Sequence, residues 1–405
     1  MEIATFRAFK SRNYRLFFGG QSISLMGTWI QRTAVYWLVY IETHSAFMVG
    51  FAVFVTQFPS FLFGLFGGAV ADKYNRYQVL LVTQIASMLQ ASAMTFVVLF
   101  TNYTITEILL LGFVLGVINA FDVPARQSLV QFMVDNPDDL GNAIALNSSM
   151  VNLARLAGPA IAGILLDSLG AGICFLINAL SFVAVLGSLM LMKLPPSIPQ
   201  LKTQKMLESL GEGFNYVRTN PLLANLILLL ALMSFFVLPA LSLLPVIAKE
   251  TFEGTAETFG YLLSFVGVGS LIGTLFLASL NTAANRQTIL VLGMAVISFG
   301  LIAFSLTSNL MVAFVFATIS GFGIMILTTL TNTLLQTTSS IEMRGRVISY
   351  FAMAFFGMQP IGALLVGAVS HGIGAQHTIM IEGIIAALLM LIFAPRLKKR
   401  PVAAT

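Results

Sequence analysis

Long apolar runs separated by short polar gaps cover most of the chain. A helix that crosses a bilayer needs about 20 consecutive, mainly apolar residues, and such runs recur from residue 15 to residue 394. The predicted spans are residues 15–40, 46–70, 78–101, 105–132, 142–167, 171–192, 221–247, 257–280, 287–307, 310–336, 346–369 and 376–394. The pattern therefore predicts an all-α polytopic membrane protein with 12 transmembrane helices in two six-helix halves.

The longest polar segment separates the sixth run from the seventh. It contains Pro195, Pro196 and Pro199, followed by an amphipathic stretch at 206–217, which is typical of a cytoplasmic linker with a surface helix. The predicted organisation is an N-terminal six-helix bundle, a linker with an amphipathic helix, and a C-terminal six-helix bundle. Their ranges are 1–193, 194–220 and 221–405.

The two halves share weak internal similarity at offsets of 201–210 residues. Asn75 and Arg76 correspond to Asn285 and Arg286, Gln131 corresponds to Gln336, and Gly158-Pro159 has a looser echo at Pro360 and Gly362. Duplication of a six-helix unit is common among secondary transporters, whose substrate site lies near the membrane midplane between the repeats.

Composition and charge place the chain in a membrane with a defined orientation. With 58% hydrophobic and 9% charged residues, it cannot bury its apolar surface in a water-soluble globule. Of its 21 Lys and Arg residues, 17 fall before the first run, after the last, or in every second gap. Such loops are cytoplasmic. Both termini are therefore predicted in the cytoplasm, and no nucleic-acid partner is expected because the charge is dispersed. The lone Cys174 excludes an intramolecular disulfide.

Charged side chains inside the apolar runs mark candidate functional positions. One acid, Asp122, stands against Arg32, Arg126 and Arg155 in the first half, which predicts a positive cavity suited to an anionic or hydrogen-bond-accepting substrate. The second half offers amides, Glu382 and many Phe and Met residues, which suits an amphipathic organic molecule. The substrate-cavity candidates are Gln31, Arg32, Asn119, Asn152, Asn332, Gln336 and Gln359.

The gap after the second run carries a recognisable motif. It contains Gly68, Ala71, Asp72, Arg76 and Leu81. The spacing of these residues resembles the loop between helices 2 and 3 of the major facilitator superfamily, G-x-L-A-D-R-x-G-R-K-x-x-x-L. Asn75 replaces a Gly there, and Asn tolerates the left-handed backbone that Gly would supply. The charges of Asp72, Lys73 and Arg76 are expected to form a gating network; the alternative is a plain basic turn. The chain keeps Gly68, Ala71, Asp72, Arg76 and Leu81 and departs at Val70, Lys73, Asn75 and Tyr77.

The fourth run carries an acid, Asp122, in its interior. Asn119, Asp122 and Arg126 share one helical face, so Asp122 and Arg126 can pair at i,i+4. Pro124 removes a backbone donor beside them. Burial opposes ionisation of a carboxyl group and an Arg favours it, a balance that makes a switchable proton carrier. Alternatively, Arg126 snorkels to the cytoplasmic face.

The fifth run contains Gly158-Pro159, followed by Gly163. It resembles the helix-5 antiporter signature G-x-x-x-G-P-x-x-G-G, with Ala154 and Ala162 in place of two glycines. Together with the Asp-x-Pro-x-Arg run before it, this segment resembles the drug:proton antiporter-like branch of the superfamily, which includes macrolide efflux pumps and the enterobactin exporter. The resemblance implies export. Arg155, Gly158 and Pro159 are candidates for coupling and gating, because small residues and a Pro let this segment rock against its partner. The alternative is tight helix packing alone.

These features predict a secondary active transporter rather than an enzyme. The leading hypothesis is a proton-coupled exporter of small amphipathic compounds of drug or siderophore type, working by alternating access in the bacterial inner membrane. The alternative is an importer or lipid flippase of the same fold. No catalytic residue, metal site or cofactor is predicted, because the sequence lacks a His-rich or paired-carboxylate constellation. The expected partners are the substrate, protons and the lipid bilayer, and the resemblance implies a monomer.

Overall fold

The computed structural model describes residues 4–194, 206–281 and 284–398, and all regular elements in these ranges are helical. The stretch 195–205 of the predicted linker and the basic residues Lys399 and Arg400 lie outside the described residues.

Six long helices form the first part of the described chain. Short 3₁₀ turns at Ala4–Lys10, Val130–Phe132 and Pro137–Asp139 precede or join them. Thr104 and Glu107 form a capping box at the start of the fourth helix, which satisfies backbone donors there. The helices are α1 (Arg12–Thr43), α2 (Ala46–Lys73), α3 (Arg76–Phe100), α4 (Ile105–Leu129), α5 (Leu140–Leu169) and α6 (Ala171–Leu191).

The described residues from 206 onward contain nine α-helices, because two of the predicted spans are interrupted. The seventh run breaks into two helices joined by the 3₁₀ segment Leu238–Leu243, with Pro239 and Pro245 at the starts of the new segments, since Pro cannot continue the backbone ladder. The eleventh run contains a π-helical segment at Met353–Gly357. The helices are α7 (Met206–Thr219), α8 (Pro221–Phe236), α9 (Leu244–Glu250), α10 (Ala256–Ser279), α11 (Arg286–Leu306), α12 (Leu310–Thr338), α13 (Arg344–Ala352), α14 (Met358–Ile373) and α15 (Ala375–Lys398).

Eleven segments within the described ranges are long and apolar enough to cross a membrane. The prediction of an all-helical polytopic protein is therefore confirmed. Helix α1 is long enough but is not among the eleven, because polar residues such as Gln21, Gln31 and Arg32 interrupt its apolar run. The twelfth span and the arrangement in two six-helix halves stay predictions.

Contacts between Cα atoms divide the chain into two compact units. The first comprises Met1–His44, Val55–Lys202 and Thr255–Ser264. In this unit α1 packs on α5 and α6, and α3 packs on α4 and α6. Gly20 and Gly27 of α1 lie where a Cβ atom would collide with side chains of α6, so these small residues allow the two helices to approach closely.

The second unit comprises Ser45–Phe54, Thr203–Gly254 and Phe265–Thr405. Here α11 packs on both α12 and α15, while α14 and α15 pack on α8. Gly323 of α12 has its backbone against Ile297 of α11, and Gly383 of α15 lies against Ile302. Small residues therefore permit close helix contact in this unit as well.

The weak internal repeat has a local structural counterpart. Asn75 caps α3 by accepting hydrogen bonds from the N–H groups of Tyr77 and Gln78 at 3.0 and 3.4 Å. Asn285 caps α11 by accepting from Thr288 N–H at 3.1 Å. The left-handed backbone that Asn would tolerate at position 75 is not formed: its φ is −63° and its ψ is 112°. Asn stands there because its side chain satisfies backbone donors at a helix start.

Candidate coupling and substrate site

The acid of the loop between α2 and α3 pairs with the arginine one turn later. Asp72 and Arg76 form an ion pair at 3.8 Å, and Arg76 Nε also donates to the carbonyl of Ala71 at 3.2 Å. The guanidinium lies 5.6 Å from the centre of the Phe132 ring. Lys73 instead lies over Tyr74. The loop is thus a small charged network at the end of α2, with the Asp72 side chain 48% exposed.

Asp122 of α4 is buried, with only 4% of its surface exposed, and donors from two helices surround its carboxylate. Gln84 Nε2 and Thr83 Oγ1 of α3 lie 2.7 and 3.0 Å from Oδ1. Arg126 Nε donates to Oδ2 at 3.1 Å. Two neutral donors and one cation therefore stabilise the ionised carboxylate at this site.

Two members of this network have alternative hydrogen-bonding states. The Thr83 hydroxyl also lies 2.9 Å from the Leu80 carbonyl, so Asp122 and this carbonyl compete for one proton. Gln84 Oε1 is buried and has no hydrogen-bond partner among the described residues. A side-chain amide offers both donors and an acceptor. Rotation of the Gln84 amide would therefore give a protonated Asp122 an oxygen to which it can donate.

A second cluster joins α1 and α5 at an indole ring. The guanidinium carbons of Arg32 and Arg155 lie 5.0 and 5.7 Å from the centre of the Trp29 ring. Both arginines are partly buried, and neither takes part in an ion pair among the described residues. The two cations that the sequence placed in separate spans thus converge on one indole ring.

Gly158 of α5 makes this cluster possible. A Cβ atom at position 158 would lie 2.5 Å from Cβ of Trp29, far inside van der Waals contact. Arg155 stands three residues earlier on the same helix, and residues at i and i+3 share a face. The glycine therefore brings the Arg155 face of α5 against α1, while Pro159 beside it is buried.

Gln31, a predicted cavity residue, belongs to a buried amide chain instead. It is 1% exposed, accepts a hydrogen bond from Asn178 Nδ2 at 2.7 Å and donates to Gln90 Oε1 at 3.1 Å. Gln90 in turn donates to the carbonyl of Leu111 at 3.0 Å. This chain connects α1, α3, α4 and α6 and satisfies polar groups that would otherwise be costly inside the bundle. Asn119 and Asn152 are half-buried on α4 and α5.

Sequence reasoning missed the role of Asp167 near the end of α5. Its two carboxylate oxygens accept hydrogen bonds from the N–H groups of Ala256 and Glu257 at 3.1 and 3.4 Å. These residues form the first turn of α10 and belong to the same compact unit. A carboxylate at a helix N-terminus satisfies unpaired donors and complements the helix dipole. The contact is non-local, so no spacing in the sequence signals it.

The predicted substrate-cavity residues of the second unit lie on two helices, α12 and α14. Gln336 Nε2 donates to Asn332 Oδ1 at 2.8 Å on an exposed turn of α12, and Gln359 is half-buried on α14. Glu382 of α15 is 2% exposed, and neither of its carboxyl oxygens has a hydrogen-bond partner among the described residues. A buried carboxyl group without partners is costly.

The amphipathic helix α7 docks on polar groups of the same unit. Glu212 and Arg346 form an ion pair at 2.6 Å, and the Tyr216 hydroxyl accepts a hydrogen bond from Ser340 N–H at 3.1 Å. The rings of Phe214 and Tyr350 lie 6.4 Å apart. Helix α7 is therefore held against α13 and the turn that follows α12.

Comparison with known proteins identifies the family. The sequence profile of the family described as "Transmembrane secretion effector" matches residues 3–404 of the chain. The chain belongs to this family. Its curated relatives include efflux transporters of the major facilitator superfamily, so the resemblance seen in the loop and in α5 is confirmed. The family assignment also confirms that the chain is a transporter and not an enzyme.

Several named relatives align with at least 90% of the chain. The staphyloferrin A transporter of Staphylococcus aureus is 26% identical over 383 residues, which cover 94% of this chain and 95% of that protein. The macrolide efflux protein A of Streptococcus pyogenes is 22% identical over 394 residues, covering 95% and 96%. The enterobactin exporter EntS of Shigella flexneri is 26% identical over 366 residues, covering 90% and 86%.

Solved structures support the same fold. A bacterial homologue of the human lysosomal transporter Spinster has a TM-score of 0.72 at 15% identity, covering 98% of this chain and 99% of that one. A POT family transporter in complex with 5-aminolevulinic acid has a TM-score of 0.76 at 12% identity, covering 96% and 97%. The family member described here is thus a multi-pass membrane transporter of small molecules.

Proposed function

We propose that this family member is a proton-coupled exporter of small amphipathic compounds, of drug or siderophore type, that works by alternating access. It acts as a monomer in the bacterial inner membrane with both termini in the cytoplasm. The names of the relatives support export, because they describe a macrolide efflux protein and an enterobactin exporter. The distribution of Lys and Arg supports the orientation.

The buried Asp122 network carries the proposal of proton coupling. An intramembrane carboxylate is expensive unless it is paired, and Arg126, Gln84 and Thr83 all donate hydrogen bonds to Asp122. Loss of any of these donors during a conformational change would shift the balance toward the protonated form. The group can therefore take up a proton in one state and release it in another.

Protonation would also reorganise the contact between α3 and α4. A protonated Asp122 attracts Arg126 less and must donate its own hydrogen bond. The carbonyl oxygen of Gln84 is available for that bond after rotation of the amide. Binding of one proton thus replaces a charge-assisted hydrogen-bond network with a neutral one. Proton binding is thereby linked to the packing of α3 against α4.

Transport by everted membrane vesicles tests both coupling and direction. With an acidic lumen, a proton-coupled exporter accumulates substrate in the lumen and dissipates the pH gradient. Siderophores, antibiotics and lysolipids are the compounds to screen. Asp122→Asn should abolish gradient-driven accumulation while binding of the same compound to purified protein stays measurable. Asp138→Asn is the matched control, because this aspartate is exposed on the surface.

Each other outcome contradicts a defined part of the proposal. Full gradient-driven activity in Asp122→Asn would remove this residue from coupling. Substrate leaving the everted lumen together with protons would indicate an importer. Movement of lysolipids alone would indicate a lipid flippase.

A further inference from the structure

Two partly buried guanidinium groups lie at one indole ring between α1 and α5 of the first unit. Arg155 is the sixteenth residue of the 30-residue helix α5, about 21 Å from either end at 1.5 Å per residue. Arg32 follows Trp29 by one turn on α1. At that depth in α5, Arg155 is too far from either membrane surface to place its charge there by snorkelling. The positive charge must be compensated locally.

The described surroundings compensate this charge only in part. The electron-rich face of Trp29 attracts both cations, but an uncharged ring does not neutralise them. Ion pairs among the described residues are formed by other arginines, namely Arg7, Arg76, Arg126 and Arg346. Two adjacent like charges without an acid repel each other, so an oxyanion bound between them would relieve that repulsion.

The geometry also suits a particular shape of anion. Each guanidinium presents a planar fork of N–H donors that matches a carboxylate. The indole supplies a flat apolar surface next to those forks. Asn152 stands three residues before Arg155 on α5, so it shares that helical face and can add a neutral hydrogen bond.

We propose that Arg32, Trp29 and Arg155 form a subsite for the carboxylate groups of an amphipathic substrate. This inference rests on the proposed function, because it names the chemistry of the compound that is transported. The two arginines bind the carboxylates, and the indole covers the adjoining apolar part. Gly158 keeps α5 close enough to α1 for the two arginines to share one ligand.

The chain offers a built-in reporter for this subsite. It contains two tryptophans, and Trp37 stacks on Phe259 at 6.0 Å rather than on the arginines. In a Trp37→Phe background, Trp29 is the single indole. Tricarballylate is the probe, and its trimethyl ester is a neutral analogue with the same carbon skeleton. Tricarballylate should produce a saturable change in Trp29 fluorescence of the detergent-purified protein, and the ester should not.

Substitution of the arginines tests which groups bind the probe. Arg32→Gln and Arg155→Gln should each weaken tricarballylate binding by roughly 10-fold or more, since each removes charge-assisted hydrogen bonds. Arg155→Lys should retain part of the affinity because it keeps the charge and loses the planar fork. Arg344→Gln is the control, because Arg344 is exposed outside the subsite. Gly158→Ala should also weaken binding without changing any charge.

Other outcomes overturn the inference. One such outcome is the absence of a saturable fluorescence response to tricarballylate, and another is an equal response to the neutral ester. A third is a loss of affinity in Arg344→Gln equal to that in the subsite variants, which would indicate general electrostatic attraction. A response to glycerol 1-phosphate but not to tricarballylate would assign the subsite to a lipid headgroup. The assay needs no proton gradient. If Asp122→Asn leaves transport unchanged, the proposed proton coupling fails. If the protein still binds tricarballylate in that case, the carboxylate subsite stands independently of the coupling.

Discussion

Arg126 donates from Nε to Oδ2 of Asp122 across 3.1 Å, one turn further along the same helix. The pair expected from the i,i+4 spacing is therefore present, and the guanidinium is held at the carboxylate. Because α3 supplies the remaining donors, through Thr83 and Gln84, the hydrogen bonding of Asp122 depends on the packing of α3 against α4. The Asp122–Arg126 pair lies on α4 alone, but its environment therefore changes when α3 moves.

Removal of Arg126 should destabilise the first unit. Arg126→Gln leaves a buried carboxylate with one charge-assisted bond fewer, at an expected cost of about 1.5–3 kcal/mol. Thermal unfolding in detergent measures this loss. In a double-mutant cycle with Asp122→Asn, the second substitution should restore part of the stability, with an interaction energy of about 0.5–3 kcal/mol. Strict additivity would show that the two groups act independently.

Neutralisation of Asp72 should affect turnover more than affinity. Its ion pair with Arg76 is long and half-exposed, so Asp72→Asn should cost less than about 1 kcal/mol of stability. If the pair forms in only one transport state, its loss changes the rate of interconversion. Transport rate and substrate affinity, measured on the same preparation, separate these effects. Unchanged turnover would favour a plain basic turn, and Lys73→Gln tests whether any charge change has the same result.

The ion pair between Glu212 and Arg346 should control the attachment of α7. The Glu212 side chain is 62% exposed, so Glu212→Gln should lower the free energy of local opening by about 0.2–1 kcal/mol. Hydrogen exchange of the α7 amides measures this opening, and the difference should shrink at high salt. The charge swap Glu212→Arg with Arg346→Glu should recover protection. Equal exchange in all variants would mean that Tyr216 and the aromatic contacts alone hold the helix.

Replacement of Glu382 should stabilise the second unit. Both of its oxygens are buried and lack partners among the described residues, so Glu382→Met removes an unsatisfied group at similar volume. The expected gain in unfolding free energy is about 1–3 kcal/mol, measured by thermal unfolding in detergent. Glu342→Met, at an exposed position, should stay within about 0.5 kcal/mol. A loss of stability at position 382 would reveal favourable contacts that Met cannot replace.

Much of the local structure was predictable because it depends on neighbours in the chain. The apolar runs predicted helices, Asp122 and Arg126 met at the expected spacing, and an amphipathic helix formed at 206–219. Asn75 shows the limit of this reasoning. Its replacement of a Gly suggested a left-handed turn, whereas the residue caps α3 with an extended backbone. Both uses of Asn fit the same sequence, and only the path of the chain into the helix distinguishes them.

The sequence alone determined that this protein is a polytopic helical membrane protein and which charges lie inside it, because apolar run length and charge placement are properties of the chain in a bilayer. Only the tertiary structure decided how those charges are satisfied. Arg32 and Arg155 are separated by more than a hundred residues, yet they converge on Trp29, and Gln31 turns into an amide chain rather than a cavity. Such contacts depend on the rotation and close approach of helices, which small residues such as Gly158 permit and which no periodicity along one helix encodes.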